Sequence, residues 1–294
     1  MEEVRSSHNF TQLRGVDYKR AFEILEHASC HPKMVEDTFV EHVHPQLSAA
    51  DLRMLDVGCG PGSISKRIAP FFSHGVLVEV NADMISSSDM PENVDVRIGN
   101  FLELDFSDCT DGFDFIMCSH VLYRMPRDIL QQMILKMYSL LKPGGQILLV
   151  LAAPRNTCHE FLCSIIDEQE ISTSQQLLDI IRDADFCHRN IEKSNDMRVS
   201  SLDDIRTILE FMLVESSPEI ERVLPEHEPT FAKVLHAVGA VSSCRQSVNE
   251  ASSSSGKDEA GPESTSSNNN SSSIFVLTQD DDHIIITKPS PAVA

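Results

Sequence analysis

The residues best placed by type and spacing to do chemistry lie in Met54–Ile68, MLDVGCGPGSISKRI. Met54, Leu55 and Val57 are apolar beside Asp56 and lead into a turn with Gly58, Gly60 and Gly62. Ser63 to Ala69 reads as the opening of a helix. A strand, a G-x-G-x-G turn and a helix together make a nucleotide-binding crevice. The glycines reach backbone angles closed to other residues and let a ligand approach the main chain. A dinucleotide fingerprint would read G-x-G-x-x-G and face a pyrophosphate. Here Pro61 separates the last two glycines, and the next strand, GVLVEV at 75–80, carries Glu79 at its end. A carboxylate there can accept both ribose hydroxyls of an adenosine ligand.

These residues need a scaffold. The chain has 294 residues and is 41% hydrophobic, enough for one decorated domain or two small ones with a sizeable core. Its formal net charge of -21 argues against non-specific nucleic-acid binding and mildly favours a small cationic substrate. The eight cysteines include no C-x-x-C pair, and Cys59, Cys118, Cys163 and Cys187 read as small core residues. MEEVRSSHNF is polar, and no apolar run has the length of a membrane span. The expectation is a cytoplasmic protein with reduced thiols and no nucleic-acid or membrane partner.

In chain order, Tyr18, Phe22, Ile24 and Leu25, then Met34, Val35, Phe39 and Val43, recur at helical spacing, so residues 1–50 read as an N-terminal helical cap. His27, His31, His42 and His44 have chelating spacings, but no cysteine or carboxylate set completes a site. They read as surface histidines, and no metal is expected. A helix over 82–88 turns Met84 toward the crevice, and strands follow at 94–98 and 113–118. Ser119, His120, Leu122 and Tyr123 come directly after the latter, at the carboxyl end of a central strand, where open α/β sheets bind ligands. Residues 129–141 form an amphipathic helix stopped by LLKPGG, and 146–151 a fifth strand. Helices at 172–182, 202–214 and 231–241 flank a rather polar sixth strand at 188–199, with Ser172 or Thr173 as N-cap. Residues 242–273, rich in Ser and Asn, read as a disordered loop inside the domain that occupies 51–241, because residues 274–288 resume with strand-like IFVL and HIIIT. The fold class is α/β: a seven-stranded Rossmann-like sheet, mostly parallel with an antiparallel last strand, and helices on both faces.

LDVGCGPG, Glu79 and the KPGG before an apolar strand resemble the class I S-adenosylmethionine-dependent methyltransferases. DYKRAFEILEH, VEVNADMI, FDFIMCSHVLYRMPRD and ISTSQQLLDII further resemble the histamine N-methyltransferase family, in the same order along most of the chain. The resemblance implies a monomer that uses S-adenosyl-L-methionine to methylate a nitrogen of a small imidazole or amine. It implies cofactor contacts at Asp56, Gly58, Gly60, Glu79, Met84, Asn100, Phe101 and Ser119, the Asn100–Phe101 pair serving adenine. It implies a substrate pocket from Tyr18, Phe22, His120 and Tyr123. Cys30 falls where the family places an amine-binding glutamate, and Asp280 lies near its C-terminal asparagine. The family's pocket tryptophans have no counterpart, since the chain contains no Trp.

Methyl transfer from a sulfonium needs no nucleophilic side chain, only an acceptor lone pair within roughly 3–3.5 Å of the methyl carbon. No catalytic residue is therefore required, and His120 is expected to orient the acceptor by a hydrogen bond. Two other readings are kept: a methyltransferase for another acceptor class, and a cofactor-binding module without activity.

Overall fold

The computed structural model describes residues 18–85, 90–123, 125–168, 171, 173–217, 225–238 and 274–290; for Tyr18 it describes the backbone only. Seven strands form one sheet: β1 (Arg53–Val57), β2 (His74–Glu79), β3 (Val94–Ile98), β4 (Phe113–Ser119), β5 (Leu141–Ala152), β6 (His188–Val199) and β7 (Phe275–Thr287). Their order is β3-β2-β1-β4-β5-β7-β6. β1 to β5 are parallel, whereas β7 runs antiparallel between β5 and β6. This is the expected seven-stranded Rossmann-like architecture.

The parallel strands are apolar runs because both faces are covered. Leu55, Val57, Val76, Val78, Ile116 and Ile147 point into one core, shared with α4 (Arg127–Leu140) and α6 (Ser174–Asp183). Met54, Leu77, Phe115, Met117 and Leu148 point to the other face, under Val35 of α2 (His31–Thr38), Phe39 and Ile68 of α3 (Ser65–Ile68). A third cluster joins α1 (Tyr18–Ala28), α5 (Thr157–Cys163), α7 (Leu202–Ser216) and the helical segment 228–238, with Phe161 against Phe231. No helix among the described residues is long and apolar enough to cross a membrane.

Local differences have local causes. The helix after the glycine turn is one turn long, because Pro70 follows it and the chain tightens into a 3-10 turn at Ala69–Phe71. The expected helix at 82–88 is a 3-10 turn, Ala82–Met84, whose Asn81 side chain accepts the Asp83 N–H; residues 86–89 lie outside the described set. The KPGG turn sits inside β5, with Gly144 at φ +81° donating its N–H to the Lys288 carbonyl. Thr173 is the N-cap of α6, without a side-chain bond. Of the cysteines expected in the core, Cys118 is buried, Cys59 and Cys163 are half-buried and Cys187 is exposed. The Ser/Asn-rich stretch 242–273 lies outside the described residues.

Candidate active site

Strand order reverses between β1 and β4, so the connections leaving their carboxyl ends diverge and open a crevice. The glycine turn leaves β1 there, and Ser119 and His120 leave β4 there. A cavity of ≈ 410 Å³ occupies the crevice and extends under α1 and α7.

One end is built from the turn. Gly58, Gly60 and Gly62 have φ of +76°, +54° and +77°, which only glycine adopts readily. The Gly58 and Cys59 N–H groups donate to Val78 O at 2.7 and 3.0 Å, tying the turn to β2. A Cβ at Gly58 would meet Val121 Cγ2 at 2.3 Å, whereas one at Gly60 would meet nothing within 4 Å. Gly58 is thus a packing requirement, and Gly60 is the residue that leaves room. Glu79, 8% exposed, accepts the Gly60 N–H through Oε2 and the Asn81 N–H through Oε1, each at 2.9 Å. A carboxylate has about four lone-pair sites, so both oxygens retain capacity for hydroxyls. Asp56, 2% exposed, accepts the Ser65 hydroxyl. Burial pushes its pKa up to about 7 against the lowering effect of that bond, and Glu79 adds to the rise.

The other end is apolar with a few polar groups. Phe22, Phe211, Met212 and Tyr123 line it, together with Glu26 and Glu215. Burial holds the Tyr123 phenol and the Cys158 thiol far above their usual ranges, so both stay neutral. Between the two ends sit His31 and His120, their rings 4.3 Å apart and edge to face. His31 Nε2 lies 2.9 Å from Ser119 Oγ, and His120 Nδ1 2.5 Å from Tyr123 Oη. Behind them Asp281, fully buried, lies 3.4 Å from His31 Nδ1 and 3.5 Å from His120 Nε2. Burial alone would raise the Asp281 pKa; the two histidines outweigh it and hold the carboxyl well below the usual range. His31 is lowered, first by burial and then by His120.

The cavity brings together Asp56, Gly58, Gly60, Glu79, Met84 and Ser119 of the expected cofactor set, and Phe22, His120 and Tyr123 of the expected substrate set. It does not reach the others. Asn100 is exposed and bonds Glu103 and the Leu102 N–H within its own loop, and Phe101 is buried in the core beneath Lys136. Cys30 is exposed and does not line the cavity itself; its Sγ bonds Asn195, which does, at 3.4 Å. Asp280 pairs with Arg155 at 3.8 Å, because successive residues of β7 point to opposite faces; Asp281 is the one that turns toward the histidines. The side chain of Tyr18 lies outside the described residues. His31 is no surface histidine, whereas His27 is exposed and His42 and His44 remain apart from the site. His120 Nδ1 bonds Tyr123 Oη, and its Nε2 lies 3.5 Å from Asp281 Oδ2. Sequence reasoning missed Phe211 and Glu215, which come from a helix remote in sequence and carry no local motif, Glu26, one helical turn after Phe22 in DYKRAFEILEH, and Asp281, next to Asp280.

The fold, the glycine turn and the acidic end of β2 define a class I methyltransferase domain. A family profile described as Methyltransferase domain matches residues 48–204, just over half of the chain, and the chain belongs to that family. Its cofactor is S-adenosylmethionine, and the open space at Gly60 and the acceptor oxygens of Glu79 fit that molecule. The protein named Probable methyltransferase ltbC, from Aspergillus luteorubrus, is 32% identical over 107 residues, 31% of this chain and 37% of its own length. The ubiquinone biosynthesis O-methyltransferase of Xanthomonas axonopodis pv. citri is 29% identical over 115 residues, 37% of this chain and 47% of its own. The chain thus spans less than half the length of these curated relatives. The YcgJ protein of Bacillus subtilis shares the fold at a TM-score of 0.50 and 15% identity, over 90% of this chain and 100% of that one.

Proposed function

We propose that this chain transfers a methyl group from S-adenosylmethionine to a nitrogen of a small cationic amine or imidazole, as a monomer in a reducing, cytoplasmic setting. The observation that carries this reading is one continuous cavity, with Gly60 and Glu79 at one end and Phe22, Phe211, Tyr123, Glu26 and Glu215 at the other. Aromatic faces and carboxylates around an apolar space suit a small ammonium or imidazolium group.

When bound, the cofactor supplies a sulfonium methyl whose C–S bond breaks, leaving the electron pair on sulfur, as the acceptor's lone pair forms the new C–N bond. The protein's residues hold and align. Glu79 accepts the ribose hydroxyls while bracing the Gly60 and Asn81 N–H groups. Glu26 and Glu215 anchor a positive charge elsewhere on the acceptor, while Phe22, Phe211 and Tyr123 exclude water around the reacting nitrogen, which is neutral and carries the lone pair. The proton released by the methylated nitrogen passes to solvent.

Histamine is one member of this acceptor class; Cys30 and Asp280 do not meet the cavity, so its amine would be held by Glu26 or Glu215 instead. Oxygen acceptors form the second reading, favoured by the printed name of the Xanthomonas relative. Transfer of labelled methyl to a panel of small amines, imidazoles and phenols decides between them. Label on the amines or imidazoles is expected; label on phenols alone would sink the nitrogen-acceptor reading.

A further inference from the structure

We propose that His31, His120 and Asp281 form a divalent metal site in the wall of this cavity, with an open coordination position facing the methyl acceptor. The ligand atoms come from the start of α2, the residue after β4 and the middle of β7, and all lie within 4.8 Å of one another.

The separations argue for an ion between these groups. A charge-assisted N–H···O⁻ bond is about 2.7–2.9 Å long. Here Asp281 Oδ2 stands 3.4 Å from His31 Nδ1 and 3.5 Å from His120 Nε2. Two ligand atoms on a tetrahedral ion, with bonds of about 2.0–2.1 Å, sit roughly 3.4 Å apart. Asp281 Oδ2 and His31 Nδ1 are both buried without a well-formed hydrogen bond, an expensive arrangement for a carboxylate and an imidazole.

The outer nitrogens are already fixed, as metal-ligating imidazoles require. His31 Nε2 pairs with Ser119 Oγ and His120 Nδ1 with Tyr123 Oη; in the tautomer a bound metal would impose, those nitrogens carry the protons and the His31 Nδ1 and His120 Nε2 lone pairs face the Asp281 side. Tyr123 Oη is itself held by the Ala152 N–H at 3.2 Å. His120 keeps a left-handed backbone, φ +55°, uncommon for a non-glycine residue, and its N–H bonds Val150 O at 2.9 Å. Strain retained at a residue that aims a ring into a cavity marks a functional constraint.

Two imidazoles and one carboxylate suit zinc or a neighbouring first-row ion, and three protein ligands leave a fourth position for a donor atom from the cavity side. His120 would then act on the acceptor through the ion. The metal site stands on its own geometry; the acceptor as its fourth ligand rests on the function proposed above.

The test uses full-length protein, stripped with a chelator and titrated with Zn²⁺ and Co²⁺, with S-adenosylhomocysteine binding measured in the same samples. One tight equivalent is expected, with at least a tenfold loss of affinity in both His31→Gln and His120→Asn and retained S-adenosylhomocysteine binding to show that they fold. Free imidazole should shift the visible bands of the cobalt form. No stoichiometric metal, or affinity unmoved in both variants, would overturn the site. So would a thiolate-to-cobalt band, which would assign the metal to the His159–Cys163–Glu168 group instead. Cobalt bands unmoved by imidazole would overturn the open position. Failure of the wild type to bind S-adenosylhomocysteine while taking up metal would support the site and overturn the cofactor reading alone.

Discussion

Gly58 and Gly60 carry different demands within one turn. A methyl at Gly58 strikes Val121 at 2.3 Å, on a backbone at φ +76°. Gly58→Ala should therefore cost stability, about 2–4 kcal/mol from overpacking and left-handed strain together, read by denaturant unfolding. Glu79→Ala should weaken S-adenosylmethionine by roughly 1.5–3 kcal/mol, the scale of a hydrogen bond to a charged group; calorimetry showing a change of only a few tenths would place the ribose elsewhere. Asp56 gives a pH signature. Its carboxyl keeps a proton up to about 7 when folded, while an unfolded aspartate releases it near 3.9. Between those values the folded state binds more protons, so this residue's contribution to stability falls as pH rises from about 4 to 7 and then levels. Asp56→Asn should flatten that part of the unfolding profile; an unchanged slope would mean Asp56 is ionised in the folded protein.

At the scale of elements, α1 and α2 close the cavity, and their junction is tied to β6 by one side chain. Asn195, buried, accepts from Ser29 Oγ, the Cys30 N–H at 3.3 Å and Cys30 Sγ, and donates to Ser29 Oγ. Asn195→Ala should cost about 1–3 kcal/mol and raise the acceptor KM while leaving cofactor affinity unchanged; a matching loss in both would mean the junction supports the whole crevice. The elements also show where the sequence was readable. The central parallel strands are visible as apolar runs, and the glycine turn and Glu79 because each is a local pattern. The antiparallel last strand is legible from IFVL and HIIIT, and it runs as the single strand Phe275–Thr287. Asp280 was named where Asp281 faces the site, a one-residue difference that in a strand changes the face. His31 looked like one of four solvent-facing histidines, because nothing near it in sequence reveals partners 89 and 250 positions away. Asn100 and Phe101 followed a family pattern, whereas here the loop after β3 folds back on itself and on Lys136.

The whole molecule carries a formal net charge of -21, and its cavity holds carboxylates at the acceptor end. A cationic acceptor should be drawn in by this field, so its KM should rise roughly threefold over a tenfold increase in ionic strength. A KM indifferent to salt would favour a neutral acceptor. The central claim is that the crevice between β1 and β4 holds the nucleoside cofactor against Gly60 and Glu79. Calorimetric titration of S-adenosylhomocysteine into the wild type and Gly60→Val tests it most directly. The wild type should bind one equivalent. Gly60→Val puts a side chain into open space in the cavity at φ +54°; it should cost stability through left-handed strain and, at a temperature where its unfolding curve shows it folded, lose at least tenfold in affinity. Equal affinity in the two proteins would contradict the account.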